Sequence, residues 1–176
     1  MTTHALLFQE QTNGLYKGIY VHYDGAVDGV GQVLTHAYST YQAFQPLIDK
    51  GCPLANLGLT PQTIPNDSKD ARMMTLIQKN DLEWHKYTTL LSTQREYYLA
   101  TSLDNLKDGQ YYKYNDENQM EGYRLPTGEF LPYMPNKEAQ RVYVQIRNGR
   151  WYMGEVNDEG YIKQFVQIYK NKEVKK

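Results

Sequence analysis

Cysteine is almost absent from the 176-residue chain, which contains only Cys52. A single thiol cannot form an intramolecular disulfide, and it excludes a zinc site built from several thiolates. This cysteine usage is typical of a reducing compartment, so we expect a cytoplasmic protein. The chain also lacks an apolar run of the about 20 residues that span a membrane, and its start lacks a basic region followed by an apolar stretch. We therefore expect neither a membrane anchor nor a secretion signal.

An excess of charge of either sign is lacking too. The 19 basic and 20 acidic residues give a net charge of −1. Nucleic-acid binders usually carry a basic excess, because neutralising phosphates supplies much of their affinity. We therefore expect that direct binding of nucleic acid is not the dominant interaction of this protein. We expect its partner to be a protein or a protein complex. The hydrophobic share of 40% is enough for a folded core, and residues 1–176 are predicted to form a single domain without a cofactor.

The first half of the chain predicts a hairpin followed by a helix. Apolar and aromatic runs at residues 4–10 and 15–22 flank Asn13-Gly14, a dipeptide typical of tight hairpin turns. From residue 30 to residue 48, apolar side chains recur every three or four positions, which predicts one long amphipathic helix. Gly51 then supplies a helix stop. The residues of this apolar stripe are Val30, Val33, Leu34, Ala37, Tyr38, Tyr41, Phe44, Leu47 and Ile48.

The rest of the chain predicts loop and then β structure. Three prolines, together with Gly, Asn and Asp, predict a surface loop at residues 51–70, and residues 71–92 favour one or two short helices. Short aromatic and β-branched segments predict strands from residue 96 to residue 156, with a hairpin at Asn148-Gly149. Residues 161–169 have helical spacing, and residues 171–176 are expected to fray. The predicted fold class is α+β: a mostly antiparallel sheet packed against one long amphipathic helix, with short additional helices.

Two features near the front of the chain could carry chemistry. His22 and Asp24 share a face if the strand continues through them, so they could ligate a metal or act as an acid–base pair; otherwise they close the end of a strand. Gly25, Gly29 and Gly31 could present backbone amides to a phosphate at a helix start. The alternative is that these glycines only permit a tight turn and close packing. Their spacing matches neither the Walker A pattern nor G-x-G-x-x-G, and we assign no metal ligand and no catalytic residue.

Tyrosine is abundant, with 17 tyrosines against four phenylalanines. A phenol can be half buried while its hydroxyl stays in water, and tyrosine is a favoured anchor of protein interfaces. A cluster in the second half is our candidate binding surface, and the alternative is that its members are strand formers that cover a sheet. Stacking on single-stranded bases is a third option, but Asp116, Glu117 and Glu121 would repel phosphates. The cluster consists of Tyr111, Tyr112, Tyr114, Tyr123 and Tyr133.

A resemblance adds to this interpretation. Residues 18–25 read G-I-Y-V-H-Y-D-G, residues 29–31 read G-V-G, and residues 47–51 read L-I-D-K-G. This pattern resembles a family of small uncharacterised proteins encoded by bacteriophages and prophages, whose members typically read I-Y-C-H-W-D-G, then G-V-G, then L-I-x-x-G. The terminal Y-V and N-G-R-W-Y segments at residues 143–152 are similar to that family too. Val21 and Tyr23 stand where the family often has cysteine and tryptophan.

The resemblance implies an accessory protein that interferes with host machinery or host defence. Our leading hypothesis is a non-catalytic binder that occludes a host protein complex, such as a CRISPR–Cas or restriction system, in the host cytoplasm. The second hypothesis is a small metal- or phosphate-binding enzyme or ligand-binding protein that uses His22, Asp24 and the glycine-rich turn. The third is a component of virion assembly. The sequence leaves the oligomeric state open.

Overall fold

The computed structural model of the protein describes residues 3–65, 86–133 and 138–170. Within these ranges a 10-stranded sheet has the order β12-β11-β10-β1-β2-β3-β5-β4. Strand β2 pairs with β3 at Val21 and with β6 at residues 16–18, and β6 pairs in turn with β7. The strands of this sheet are β1 (Ala5–Glu10), β2 (Tyr16–Val21), β3 (Leu54–Asn56), β4 (Thr60–Pro65), β5 (Tyr87–Leu90), β6 (Tyr97–Ala100), β7 (Tyr112–Tyr114), β10 (Arg141–Gln145), β11 (Trp151–Glu155) and β12 (Val166–Gln167). A separate two-stranded hairpin consists of β8 (Gly122–Arg124) and β9 (Phe130–Pro132). The helical elements are a π-helical turn (Val27–Gly31), α1 (Gln32–Ala37), α2 (Tyr41–Lys50) and α3 (Leu103–Lys107).

The fold is mixed α/β, and the prediction of a mostly antiparallel sheet is wrong. Strand β1 pairs in parallel with β10, β2 with β3, and β4 with β5. The alternation of residues along one strand shows which side chains are buried, but it does not show the direction of the neighbouring strand. The continuous apolar run of β1, residues 5–8, is nevertheless typical of a central strand that is buried on both faces.

The prediction of one long helix is also wrong, because the chain leaves the helical path at residues 38–40. The side chain of Thr40 caps α2 by accepting a 3.2 Å hydrogen bond from the backbone amide of Ala43. The periodic apolar stripe continues across the break because α1 and α2 both pack on the same face of the sheet. Gly51 ends α2 in the left-handed conformation with φ 65°, as the sequence predicts.

The sheet is buried on both faces. The face toward the helices carries one core cluster, and the opposite face carries a second. Consecutive residues of β1 alternate between them: Leu7 packs with the helices, whereas Leu6 and Phe8 pack in the second core. The largest members of the second core are Phe8, Tyr98 and Tyr111.

The segment after α2 differs from its predicted form. Strands β3 and β4 lie within residues 51–65, where the sequence predicts a surface loop, and residues 66–70 lie outside the described ranges. Strand β4 holds Pro61 and Pro65 because it is the edge strand, so the missing N–H donors can face solvent. The helices predicted at 71–92 fall largely outside the described ranges, but β5 occupies residues 87–90.

Near the carboxyl terminus, β12 lies in the segment for which a helix is predicted. The tail at 171–176 is not described. The predicted hairpins at Asn13-Gly14 and Asn148-Gly149 are confirmed as β1–β2 and β10–β11. None of the helices in the described part of the chain is long and apolar enough to cross a membrane.

Candidate functional site

The glycine-rich turn uses its own amides internally. The amide of Gly25 donates to the carbonyl of Thr3 at 2.9 Å, and the amides of Gly29 and Gly31 donate to the carbonyl of Ala26 at 3.0 and 3.3 Å. A phosphate site at a helix start needs such amides to point outward at the anion. The geometry therefore favours the tight-turn interpretation of these three glycines.

Asp24 fixes the entry to this turn. Its backbone adopts φ 60°, and its carbonyl accepts a 2.7 Å hydrogen bond from the amide of Val30. A Cβ atom at Gly29 would lie only 2.4 Å from the same carbonyl, so the close approach requires glycine there. The Tyr143 hydroxyl donates to the carbonyl of Gly25 at 2.7 Å, which ties the turn to β10.

His22 lies in a stack of rings. Its ring centroid is 4.5 Å from that of His4, whose Nδ1 lies 2.7 Å from the His22 carbonyl, and its own Nδ1 lies 3.0 Å from the Tyr20 hydroxyl. Desolvation, followed by the neighbouring His4, lowers the pKa of His22, so its imidazole is neutral at pH 7. Among the described residues, no group of three His, Cys, Asp or Glu side chains is placed to hold a metal ion.

The predicted tyrosine cluster divides into interior and surface members. Tyr111 is 1% exposed and packs edge-on against Phe8, so it belongs to the core. Tyr114 stacks on Tyr97 at 5.4 Å between centroids, on the face toward the helices, and Tyr112 is half-buried. Tyr123 is 67% exposed. Tyr111 and Tyr114 are therefore packing residues.

The exposed member of the cluster, Tyr123, belongs to the β8–β9 hairpin, and the half-buried Tyr133 lies at the base of that hairpin. Tyr123 on β8 lies directly opposite Leu131 on β9, and Leu131 is 44% exposed. The neighbouring pair is Arg124 and Phe130, with the guanidinium 5.7 Å from the ring centroid. Phe130 is exposed as well. Three large apolar side chains thus face solvent on one small ribbon.

A backbone hydrogen bond joins this hairpin to β7: the amide of Glu121 donates to the carbonyl of Lys113 at 2.8 Å. The amide of Tyr133 donates to the carbonyl of Glu121 at 2.9 Å, which extends the pairing of β8 with β9 by one position. A Cβ atom at Gly122 would lie 2.3 Å from the carbonyl of Leu131, so the two strands approach closely at the base of the hairpin.

Lys113 lies at this base and is surrounded by carboxylates. Its Nζ lies 3.2 Å from Glu96 Oε1, 3.4 Å from Glu138 Oε1 and 3.8 Å from Glu121 Oε2. Desolvation lowers the pKa of the Lys113 ammonium, but the three carboxylates outweigh it, and the net effect raises that pKa. The ring of Tyr133 lies 5.4 Å from the same ammonium.

A buried phenol completes this charge cluster. The Tyr98 hydroxyl donates a 2.7 Å hydrogen bond to Glu138 Oε2. Desolvation, together with the charge of Glu138, raises the pKa of Tyr98 far above its usual range and that of Tyr20 to about 12. Both phenols are therefore neutral at physiological pH, and Tyr98 is the hydrogen-bond donor to Glu138. Such a donor can orient a carboxylate, but it cannot act as a phenolate base or nucleophile.

Two adjoining cavities open beside Lys113. The larger, about 490 Å³, is lined by Lys113, Asn115, Met120, Glu121, Gly122, Tyr123 and Tyr133. The smaller, about 280 Å³, shares Asn115 and Glu121 with it and adds Ser92, Gln94, Arg95, Glu96, Asp116 and Glu117. We call the two together the acidic cleft. Its position beside the exposed hairpin makes this end of the molecule the candidate binding site.

Sequence reasoning identified Tyr123 and Tyr133 but missed Lys113, Phe130 and Leu131. A signal was present for Lys113: it alternates with Tyr112 and Tyr114 along a strand, which places it on the opposite face from those two rings. The hairpin itself was predicted as two strands, but a strand pattern does not tell whether the strand joins the main sheet. That distinction decides whether Leu131 is core or surface.

Comparison of the chain with protein-family models, with curated proteins and with solved structures finds no match.

Proposed function

We propose that this protein is a non-catalytic binder of phage or prophage origin that occludes a host protein complex, such as a CRISPR–Cas or restriction system, in the host cytoplasm. The β8–β9 hairpin is the proposed contact surface. The observation that supports this proposal is the exposure of Tyr123, Phe130 and Leu131 on a ribbon outside the main sheet.

The energetics favour a role of this hairpin in binding. A two-stranded hairpin alone is marginally stable in water, and apolar side chains on its exposed surface add little to the core. Burying a large side chain such as Tyr123 or Leu131 against a partner is worth roughly 1.5–3 kcal/mol before binding costs. Aromatic residues of this kind dominate the energetics of protein interfaces.

The assignment to phage accessory proteins rests on the resemblance at residues 18–31 and 47–51. The enzyme or ligand-binding alternative receives less support, because the amides of Gly25, Gly29 and Gly31 are engaged within the protein. His22 likewise lies in a stack of rings beside His4 and Tyr20.

The test is affinity capture from a bacterial host lysate with matched surface variants. The full-length chain is compared with the double variant Tyr123→Ser, Leu131→Ser. The control is the double variant Tyr161→Ser, Val166→Ser, which removes one exposed tyrosine and one exposed aliphatic residue at a different place. We expect one host protein or complex to be retained by the wild type and by the control, and to be lost from the hairpin variant.

Two results would count against the proposal. One is a wild-type capture that contains nothing above the background of the resin. The other is equal retention of the same protein by the hairpin variant, which would place the contact elsewhere. Purified partner and isothermal titration then give the affinity, and we expect the hairpin variant to lose at least about 10-fold, or 1.4 kcal/mol.

A further inference from the structure

We infer that the partner presents a basic side chain, arginine or lysine, which enters the acidic cleft while a neighbouring apolar residue packs on Tyr123 and Leu131. This inference rests on the proposed function and specifies its partner. The occupant is therefore a protein segment with a basic residue next to an apolar one.

The local charge supports a cationic occupant. Lys113 is shared by three carboxylates, so the cluster around it retains an excess of negative charge. Asp116 and Glu117 line the same cleft, and Arg95 is the other cation there. The whole chain is close to neutral at −1, so this acidity is a local feature of the cleft. The side chains of Glu96 and Glu121 are each 35% exposed, which leaves them accessible to an incoming cation.

The aromatic lining suits the same occupant. Tyr133 already lies 5.4 Å from the Lys113 ammonium, which shows that its ring accepts a cation at this site. Tyr123 lines the same cavity and is 67% exposed. An aromatic face near a carboxylate favours a guanidinium or ammonium group, which gains cation–π and ionic contacts together. The volume of about 490 Å³ can admit one long side chain.

The position of the cleft links it to the hairpin. Glu121 directly precedes β8 and Tyr133 directly follows β9, so the carboxylates lie at the base of the exposed apolar ribbon. A partner segment that packs on Tyr123 and Leu131 therefore carries its next residues over the cleft. Long-range attraction between the opposite charges speeds such an encounter and orients it.

The experiment selects peptides from a random display library on the immobilised full-length chain. We expect the selected sequences to be enriched in arginine or lysine next to a large apolar residue. The best sequence is then synthesised with arginine and, separately, with citrulline, which keeps the shape of the side chain and removes its charge. We expect citrulline to weaken binding by about 10-fold or more, which corresponds to a charge-assisted contact.

Matched variants of the protein test the site. The double variant Glu96→Gln, Glu121→Gln is expected to bind the arginine peptide at least about 10-fold more weakly and to lose the preference over citrulline. The control, Asp158→Asn with Glu159→Gln, removes the same number of exposed charges in the turn between β11 and β12 and is expected to bind as the wild type does.

The outcomes separate this inference from the proposed function. Peptides that need Tyr123 and Leu131 but show no basic preference overturn the inference and leave the hairpin as a binding surface. Equal affinity for the arginine and citrulline peptides also overturns it. A library that yields no peptide dependent on the hairpin counts against both.

Discussion

The indole Nε1 of Trp151 donates a 2.7 Å hydrogen bond to the backbone carbonyl of Tyr38, at the point where α1 ends. The side-chain amide of Gln145 donates to the same carbonyl and to that of Thr40, both at 3.0 Å. A helix that ran straight through would use these carbonyls for its own amides four residues further on. The β10–β11 hairpin therefore satisfies the carbonyls that the helix break leaves free.

The first prediction concerns the hydrogen bonds that Gln145 makes to the helix break. Gln145 is 0% exposed, and its amide also contacts Gln9 and Gly149. Gln145→Leu keeps most of the volume but removes the side-chain donor to the Thr40 carbonyl, one of the two donors to the Tyr38 carbonyl and the acceptor of the Gln9 side-chain amide. We therefore expect a loss of about 2–4 kcal/mol in the free energy of unfolding. Urea denaturation measures this loss. The control Gln42→Leu, at an exposed position of α2, should change the free energy of unfolding by less than about 0.5 kcal/mol. A similar loss in both variants would mean that the hydrogen bonds of Gln145 do not stabilise the helix break.

Two Asn-Gly turns provide the second prediction. Gly14 and Gly149 have φ 86° and 94°, so alanine at either position strains the backbone. A Cβ atom at Gly14 meets nothing within 4 Å, whereas one at Gly149 would lie 2.5 Å from the carbonyl of Ser39. We expect Gly14→Ala to cost about 1–2 kcal/mol and Gly149→Ala about 1–3 kcal/mol more. Equal midpoints of thermal unfolding for the two variants would show that the close contact between Gly149 and Ser39 does not add to the cost of the substitution.

These contacts explain which parts of the fold the sequence predicts. The β1–β2 and β10–β11 hairpins follow from Asn-Gly between apolar runs, which is a local signal. The break at residues 38–40 has one local signal, the capping side chain of Thr40, but its free carbonyls depend on Gln145 and Trp151, more than one hundred residues away. The periodic stripe indicated only that α1 and α2 pack on one face, and it was equally compatible with one helix.

The same limit applies to the candidate site. Tyrosine composition predicts that some phenols are exposed. It does not distinguish Tyr111 from Tyr123, because both lie in short segments among polar residues. Their difference arises because Tyr111, just before β7, packs against Phe8 in the second core, whereas Tyr123 lies on β8, outside the main sheet. The charge cluster joins Lys113 to carboxylates from three other segments of the chain, an arrangement that only the tertiary fold creates.

The third prediction tests that cluster. Lys113→Met leaves Glu96, Glu121 and Glu138 close together without their shared cation. Because these carboxylates are partly exposed, we expect the free energy of unfolding to fall by about 1–3 kcal/mol at pH 7. This is less than the cost of breaking a fully buried ion pair. Salt screens the repulsion between partly exposed charges, so this loss should shrink when the salt concentration is raised from about 0.1 M to about 1 M. Denaturation at both salt concentrations measures it.

Lys163→Met serves as the control for this substitution. Lys163 is exposed and forms no ion pair among the residues that the structure describes. We expect its free energy of unfolding to change by less than about 0.5 kcal/mol at either salt concentration. An equal loss at low and high salt in the Lys113 variant would mean that packing of the lysine stem, and not charge, is what the cluster contributes.

The fourth prediction compares two leucines. Leu7 is 0% exposed in the centre of the sheet, whereas Leu131 is 44% exposed on the hairpin. Leu7→Ala should destabilise the fold by about 2–5 kcal/mol, and Leu131→Ala by less than about 1 kcal/mol. Calorimetric melting of both variants provides the comparison. A large loss at Leu131 would show that the hairpin serves the fold, which would remove the main support for its role in binding.

The fifth prediction concerns alkaline pH. Desolvation raises the pKa of Tyr98, Tyr111 and Tyr143 well above the ordinary value, and that of Tyr38 to about 12. A phenol whose pKa is raised in the folded protein stabilises it fully below the unfolded pKa of about 10, and that stabilisation is lost as pH rises. Each such phenol lowers the free energy of unfolding by about 1.4 kcal/mol per pH unit above pH 10. We expect cooperative unfolding between pH 10 and pH 12.

Tyr98→Phe separates this effect from general alkaline damage. The variant loses the hydrogen bond to Glu138, so it is less stable at neutral pH, but it also loses one buried ionisable hydroxyl. Its stability should therefore fall less steeply above pH 10, by about 1.4 kcal/mol per pH unit. Urea denaturation followed by phenolate absorbance measures both slopes, and identical slopes for Tyr98→Phe and the wild type would mean that Tyr98 ionises as freely in the folded chain as in the unfolded one.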